Sequence, residues 1–177
     1  MTRFINLLTV IRILLAPIIL LFLIFGEYLL CIFLFLLAGV SDYFDGYLAR
    51  KYDAESELGE ILDPIADKIL VVFLLIGLSV NLYSYLMAVM SSLIISREIG
   101  VAALRDYAAR NDMSHKTKVT FLAKSKTALQ ISTIMLYLIA LSFNLSLLII
   151  IGDISLIAST LITLYTGYEY ANNIFTK

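Results

Sequence analysis

The sequence contains few of the residues that cross-link a chain or bind zinc. It has one cysteine, Cys31, and one histidine, His115, among 177 residues. A single cysteine excludes an intramolecular disulfide framework, and zinc-binding histidines usually have companions at short spacing. We therefore interpret His115, which lies beside Lys116 in polar sequence, as a solvated loop residue.

Charged residues are also scarce. They make up 15% of the chain, whereas apolar residues make up 61%, well above the roughly 45–50% of globular proteins. Such a chain has too little polar side-chain area to cover a water-facing surface, so the lipid bilayer is its natural solvent. Only two prolines, Pro17 and Pro64, and no low-complexity stretch interrupt it. We expect residues 1–177 to form a single membrane domain.

Six apolar segments are each near the roughly 20 residues that cross the hydrocarbon core of a bilayer. They cover residues 7–25, 29–48, 61–81, 85–104, 127–148 and 154–172. The first is longer than the apolar core of a secretory signal, and no small-residue cleavage site follows it, so we interpret it as a retained span. The sequence predicts an all-α integral membrane protein with six transmembrane helices. The second to fifth helices are expected to continue into polar sequence on one side.

Positive charge is absent from alternate connections between these segments. The connections at 26–28, 81–84 and 152–153 contain no lysine or arginine, so all 13 of these residues lie toward the opposite side. Cytoplasmic loops of membrane proteins are enriched in lysine and arginine. Because the number of spans is even, we expect the N- and C-termini and the charged connections to be cytoplasmic.

Two features near the end of the chain are interpreted as boundary markers. Gly152 and Asp153 are expected to form a turn at the outer side of the membrane. Tyr165, Tyr168 and Tyr170 are interpreted as an aromatic belt at the cytoplasmic side. Neither feature is given a role in chemistry.

Two aspartates share one face at the end of the second segment. Asp42, Asp45, Gly46 and Ala49 are spaced i, i+3, i+4 and i+7, which places all four on the same side of a helix. Two carboxylates therefore point in one direction, and the residues beside them have little bulk.

A second pair of aspartates opens the third segment. Asp63 and Asp67 are spaced i and i+4, and Gly59 precedes Asp63 by one turn. We expect a short turn around residues 52–56 to bring the two helices together antiparallel. The four carboxylates would then converge.

Four converging carboxylates at the edge of an apolar slab require a compensating cation. Oxygen ligands without histidine or cysteine favour Mg²⁺, Mn²⁺ or Ca²⁺ over zinc. Two such ions suit a displacement at phosphorus, because they hold the attacking and leaving oxygens. The small residues Gly46, Ala49 and Gly59 would leave room for a phosphorylated ligand. Arg50 could bind its phosphate, and Ser56 fits a helix N-cap or a ligand contact equally well.

The sequence resembles the CDP-alcohol phosphatidyltransferase family. Residues 42–67 fit the family pattern D-x2-D-G-x2-A-R-x8-G-x3-D-x3-D at every fixed position. The resemblance implies that two divalent ions, Mg²⁺ or Mn²⁺, are held by Asp42, Asp45, Asp63 and Asp67. It implies that Asp67 is also the general base of catalysis. The residues that it assigns to the CDP-lipid site are Gly46, Ala49, Arg50, Ser56 and Gly59.

Within this family the chain most resembles the bacterial phosphatidylglycerophosphate synthases. The shared stretches are NLLTVIRILLAPI near the start, DPIADK at 63–68, SREI at 96–99 and KSKT at 124–127. This resemblance implies transfer of a phosphatidyl group from CDP-diacylglycerol to glycerol 3-phosphate with release of CMP. It also implies a homodimer in the bacterial inner membrane, with the active site facing the cytoplasm. The expected partners are these substrates and membrane lipid, and no nucleic acid is expected.

Cations near the fourth and fifth segments are candidates for binding the phosphate of the acceptor. The candidates are Arg97, Arg105, Lys124 and Lys126. The two arginines are spaced i and i+8, roughly on one helix face, and the two lysines enter the fifth segment opposite them. Membrane anchoring or contact with anionic lipid head groups is the alternative for these residues. Thr9 and Arg12 could approach the head-group region from the first helix.

Two other functions remain open. The same chemistry could act on inositol phosphate, serine or phosphatidylglycerol as the acceptor. A small cation transporter belongs to a different class, since acidic residues within spans can carry ions. Against transport, the acidic residues lie at one membrane edge, and no paired broken helices occur.

Overall fold

Six α-helices make up the part of the chain that the structure, a computed structural model, describes: residues 2–52, 57–111, 113 and 121–176. The helices are α1 (Thr2–Ile24), α2 (Tyr28–Lys51), α3 (Glu57–Asn81), α4 (Tyr85–Arg110), α5 (Phe121–Phe143) and α6 (Ser146–Phe175). No strand occurs within these ranges. The all-α prediction is confirmed, and α2 to α5 extend past their apolar parts as the sequence predicted.

Five of the helices are long and apolar enough to cross a membrane. The candidate spans are Asn6–Ile24, Tyr28–Leu48, Tyr85–Arg110, Ser125–Phe143 and Ser146–Phe175. Large apolar side chains such as Leu14, Phe33 and Leu147 are exposed on the surface of the bundle. A surface of this kind suits lipid better than water. Both observations indicate an integral membrane protein.

Helix α1 lies between α2 and α3. It packs against both of them, whereas α2 and α3 are not packed against each other within the described ranges. The buried face of α1 repeats at intervals of three and four residues, as helical packing requires, through Thr9, Arg12, Ala16, Ile19 and Leu23. The prediction that α2 and α3 pack directly together is therefore wrong for these residues, because α1 occupies the space between them.

The remaining helices complete the bundle around a common apolar core. Helix α6 packs against α4 and α5, α3 packs against α4, and α2 packs against α5. The core contains residues that are almost fully buried, among them Leu74 and Leu78 of α3, Met87 of α4, Ile134 of α5 and Leu156 of α6. Burial of this apolar surface fixes the helices relative to one another.

The turn between α5 and α6 lies earlier than the sequence predicted. It is formed by Asn144, with a φ of 53°, and Leu145, whereas Gly152 and Asp153 lie within α6. A Cβ atom at Gly152 would be 2.9 Å from Cε1 of Tyr137, and the Tyr137 hydroxyl donates a 2.6 Å hydrogen bond to Asp153. Asp153 is therefore a helix–helix contact and not a turn residue. Hydropathy could not show this, because apolar residues flank the true turn on both sides.

Candidate active site

Arg12 lies at the centre of the aspartate cluster. Its side chain is 1% exposed, and its Nη1 donates to Oδ1 of Asp42 and, at 3.0 Å, to Oδ1 of Asp67. Its Nη2 is 3.6 Å from Oδ1 of Asp63. The Thr9 hydroxyl donates a 2.8 Å hydrogen bond to the same Asp63 oxygen. Three of the four predicted carboxylates, from α2 and α3, therefore meet around one guanidinium from α1.

The position of Arg12 follows from the packing of α1. It shares the buried face with Thr9 and Ala16, so its side chain points between α2 and α3 instead of toward lipid. A charged residue on the packed face of an apolar helix is stable only when it is paired. The carboxylates of Asp42 and Asp67 supply that pairing.

The other residues predicted for the metal and CDP-lipid sites are described only in part. Gly46 is partly exposed one turn after Asp42 on α2, and Gly59 is buried one turn before Asp63 on α3. For some residues the backbone is described, but the side chain lies outside the described part of the chain; these are Asp45, Ala49, Arg50 and Lys124. Ser56 and His115 lie outside the described residues altogether.

The carboxylates of the cluster have the chemistry of a divalent-metal site. Their oxygens are hard ligands, which suit Mg²⁺ or Mn²⁺. Among the described side chains, however, no three acidic, histidine or cysteine residues are placed to hold an ion together. The guanidinium of Arg12 lies among the carboxylates of Asp42, Asp63 and Asp67.

Arg12, Asp42 and Asp67 of this cluster line one wall of a cavity of about 960 Å³. Part of the cavity is apolar, with Phe35, Leu75 and Met135 in its lining. At a rise of 1.5 Å per residue, Phe35 lies about 10 Å along α2 from Asp42, and Leu75 lies about 12 Å along α3 from Asp67. The apolar part therefore runs from the charged end toward the middle of the bundle.

The cations predicted for the acceptor's phosphate line the same cavity, and Glu98 joins two of them. Arg97, Arg105 and Lys126 are all in the lining. The Lys126 ammonium donates to Oε1 of Glu98, and Nη1 of Arg97 is 3.1 Å from the same oxygen. No sequence pattern pointed to Glu98. In the structure it orients both cations from a partly buried position on α4.

Helix α6 closes the side of the cavity where these cations lie. Nη2 of Arg97 donates a 2.9 Å hydrogen bond to the Thr166 hydroxyl. A Cβ atom at Gly167 would be 2.9 Å from Cγ and 3.1 Å from Nε of Arg97. The missing side chain at Gly167 therefore leaves the space in which the Arg97 side chain lies.

Tyr170 differs from its neighbours in the tyrosine cluster. Its hydroxyl accepts a 3.3 Å hydrogen bond from Nε of Arg105, and it lines the cavity. Tyr165 and Tyr168 are instead exposed on the surface of the bundle. Tyr170 is therefore a partner of Arg105, a contact that the interpretation as an aromatic belt did not include. Its spacing of i+4 from Thr166 places both on the face that packs toward α4.

The cavity thus has an acidic wall, a basic wall and an apolar extension. The acidic wall can hold cations, and the basic wall can bind a phosphate through charge-assisted hydrogen bonds. The apolar extension can hold alkyl chains. Lys68, which follows Asp67 on α3, also lines the cavity and places a further cation beside the acidic wall.

Comparisons with known proteins agree with this chemistry. The sequence model of the family described as CDP-alcohol phosphatidyltransferase matches residues 4–165. The CDP-diacylglycerol--glycerol-3-phosphate 3-phosphatidyltransferase of Blochmanniella floridana is 40% identical over 147 residues, which cover 82% of this chain and 75% of that protein. Its counterpart from Rickettsia bellii (strain RML369-C) is 40% identical over 138 residues, covering 77% and 74%. That from Rickettsia typhi is 36% identical over 169 residues, covering 93% of each chain.

Proposed function

Because this chain belongs to the CDP-alcohol phosphatidyltransferase family, we propose that it transfers a phosphatidyl group from CDP-diacylglycerol to glycerol 3-phosphate. CMP is the second product. The observation that carries the proposal is the cavity that joins the carboxylates of Asp42 and Asp67, the cations of the basic wall and an apolar extension. A lipid donor with a pyrophosphate and an acceptor with a phosphate need these three environments side by side.

The donor fits the acidic and apolar parts of the cavity. Its CDP head group would lie against Gly46 and Gly59, where the absence of side chains leaves room for the nucleotide. Arg50, Ala49 and Ser56 are the further residues that we assign to this site. The acyl chains would extend along the apolar lining, past side chains such as Phe35 and Leu75. The exposed apolar surface of the helices lets the chains reach the site from lipid.

The oxygen-only ligand set fits the divalent ions on which the family generally depends. We assign two ions, Mg²⁺ or Mn²⁺, to the carboxylates of Asp42, Asp45, Asp63 and Asp67. When bound, such ions supply positive charge to the pyrophosphate of the donor and to the leaving CMP. The support for this assignment is that three of the four carboxylates already face one shared cation, the Arg12 guanidinium.

Asp67 is the general base of the proposed reaction. Its side chain is 59% exposed and lines the cavity, so a bound hydroxyl can reach it. Asp67 accepts the proton of the sn-1 hydroxyl of glycerol 3-phosphate, and the oxygen forms a bond to the β-phosphorus of the donor. The bond from this phosphorus to the bridging oxygen breaks, and CMP leaves with the electron pair. Asp67 then returns the proton to solvent.

Arg97, Arg105 and Lys126 bind the phosphate of the acceptor. All three line the cavity that contains Asp67, and Arg97 and Lys126 are held in place by Glu98. We include Lys124 in this group because it enters α5 two residues before Lys126. A cluster of cations favours a phosphorylated acceptor over serine, whose own ammonium would be repelled.

We place the charged end of the bundle in the cytoplasm. Lysines and arginines favour that side of a membrane, and Arg12, Lys68, Arg97, Arg105 and Lys126 all line the cavity at this end. This placement implies six spans, including α3, and it puts both termini in the cytoplasm. The bacterial relatives support the inner membrane as the location and CDP-diacylglycerol as the donor. We propose a homodimer, as the family resemblance implies.

Gly167→Ala is expected to raise the KM for glycerol 3-phosphate about tenfold or more, because a displaced binding group is costly for positioning. The new Cβ would come within 2.9 Å of Cγ of Arg97 and push the guanidinium away from Thr166. Steady-state kinetics with varied glycerol 3-phosphate measure the effect. Gly100→Ala on α4 is the matched control, since its Cβ would meet no atom within 4 Å. Equal KM values for the two variants would contradict the role of Arg97.

A panel of acceptors tests the proposed function itself. Purified protein in detergent micelles with CDP-diacylglycerol and Mg²⁺ is given labelled glycerol 3-phosphate, inositol phosphate, serine or phosphatidylglycerol. We expect labelled lipid and CMP in equal amounts with glycerol 3-phosphate and little product with the others. A preference for another acceptor would contradict glycerol 3-phosphate as the substrate and assign the enzyme a different acceptor for the same chemistry. Absence of donor-dependent CMP release with every acceptor would overturn the proposal.

A further inference from the structure

Arg12 is the buried charged residue to which the proposed reaction assigns no role. Its side chain is 1% exposed within the candidate span Asn6–Ile24, which is otherwise apolar around it. A charge at this position is costly in a membrane helix unless it serves a purpose. The described partners of its guanidinium are Asp42, Asp63 and Asp67, which are residues of the proposed metal site on α2 and α3.

Arg12 joins the part of the acidic cluster on α2 to the part on α3. Asp42 lies on α2, and Asp63 and Asp67 lie on α3. These two helices are not packed against each other in the described part of the bundle, whereas α1 packs against both. Three like charges on two neighbouring elements of the bundle repel one another strongly where water is scarce. A positive charge from α1, placed between them, removes this repulsion.

We propose that Arg12 is a built-in counter-ion, which holds the carboxylates of Asp42, Asp63 and Asp67 together until divalent ions displace its guanidinium. The inference rests on the proposed function, since it takes these aspartates as the metal ligands. It makes Arg12 a positioning residue, because it acts through the carboxylates.

The exchange has a thermodynamic consequence. Arginine remains charged, so its guanidinium and a divalent ion compete for the same carboxylate oxygens. Arg12 therefore stabilises the metal-free protein and weakens metal binding. Removal of Arg12 should therefore lower the folding equilibrium constant of the metal-free protein and raise the metal-binding constant. By linkage, the two constants change by the same factor.

Arg12→Met tests the proposal on the full-length protein in detergent micelles, because methionine retains apolar bulk and removes the charge. The melting temperature is measured with EDTA and with saturating Mn²⁺, and Mn²⁺ affinity is measured by electron paramagnetic resonance. We expect the melting temperature in EDTA to fall by about 5 °C or more. Mn²⁺ is expected to recover most of this loss. Mn²⁺ affinity should rise about tenfold, as the linkage requires.

Two further variants separate charge compensation from packing. Asp42→Asn in the Arg12→Met background removes one repelling carboxylate, so it should recover part of the stability lost in EDTA. Arg110→Met is the control, because Arg110 pairs with Asp106 on the surface of α4, with both side chains exposed. Its melting temperatures and Mn²⁺ affinity should equal those of the wild type.

Equal losses of melting temperature in EDTA and in Mn²⁺, with unchanged Mn²⁺ affinity, would show that Arg12 only fills space and would overturn the proposal. A wild-type melting temperature that does not respond to Mn²⁺ would overturn it as well. If Arg12→Met does not fold, Arg12→Lys tests the same proposal. Lysine is the weaker counter-ion, so Mn²⁺ should raise the melting temperature of this variant more than that of the wild type. These measurements use no lipid substrate, so CMP release by the wild type tests the proposed function separately.

Discussion

Asp67→Asn is expected to lower the rate of phosphatidyl transfer by about 10²- to 10⁴-fold, the usual contribution of a general base. Asparagine has almost the same shape as aspartate and can still accept the 3.0 Å hydrogen bond from Arg12, but it cannot take a proton from the acceptor hydroxyl. The protein should therefore remain folded. Initial rates of CMP release at saturating substrates measure the effect.

The dependence of the transfer rate on Mg²⁺ concentration distinguishes the loss of a base from the loss of a metal ligand. A variant that only binds the metal more weakly should recover at high Mg²⁺, whereas a variant without the base should not. Asp106→Asn is the matched control, because Asp106 forms an exposed pair with Arg110 outside the cavity. Near-normal turnover of Asp67→Asn, or full recovery at high Mg²⁺, would refute the assignment of Asp67 as the base.

Lys126→Met is expected to raise the KM for glycerol 3-phosphate about 10- to 100-fold, because hydrogen bonds to charged groups contribute about 1.5–3 kcal/mol. The KM for CDP-diacylglycerol should change little, since Lys126 belongs to the basic wall. In this variant the partly buried carboxylate of Glu98 still has Arg97 as a cationic partner. Kinetics with each substrate varied in turn measure the two constants.

The control for Lys126 is a lysine outside the cavity. Lys51 at the end of α2 is exposed and lies near the rings of Tyr47 and Tyr52. Lys51→Met should leave both KM values unchanged. If Lys126→Met raised the KM for the lipid donor instead, the basic wall would belong to the donor site. If it lowered the melting temperature without changing either KM, its role would be structural.

The parts of the fold and site that follow from local sequence could be predicted. The spacing of Asp42 relative to Gly46, and of Asp63 relative to Asp67, depends only on helical periodicity. The two ends of the bundle could be told apart as well, because alternate connections between the apolar segments contain no lysine or arginine. Hydropathy also located the turns between α1 and α2 and between α3 and α4, because short polar turns interrupt the apolar segments there.

The parts that depend on which helices pack together could not be predicted. Arg12 is in phase with Thr9 and Ala16 on one face of α1, a pattern that indicates a packed arginine but not its partners. Only the position of α1 between α2 and α3 shows that the partners are the aspartates. The roles of Glu98 and Gly167 likewise depend on α4, α5 and α6 meeting at one cavity.

The most direct test of the central claim, metal-dependent transfer at a cluster of carboxylates, is product formation from labelled glycerol 3-phosphate with and without Mg²⁺. The purified protein is first stripped with EDTA and then supplied with CDP-diacylglycerol, and labelled lipid is measured before and after Mg²⁺ is added. We predict no labelled lipid in EDTA, and product equal in amount to the released CMP once Mg²⁺ is present. Transfer at the same rate in EDTA, or no transfer after Mg²⁺ is restored, would contradict the claim.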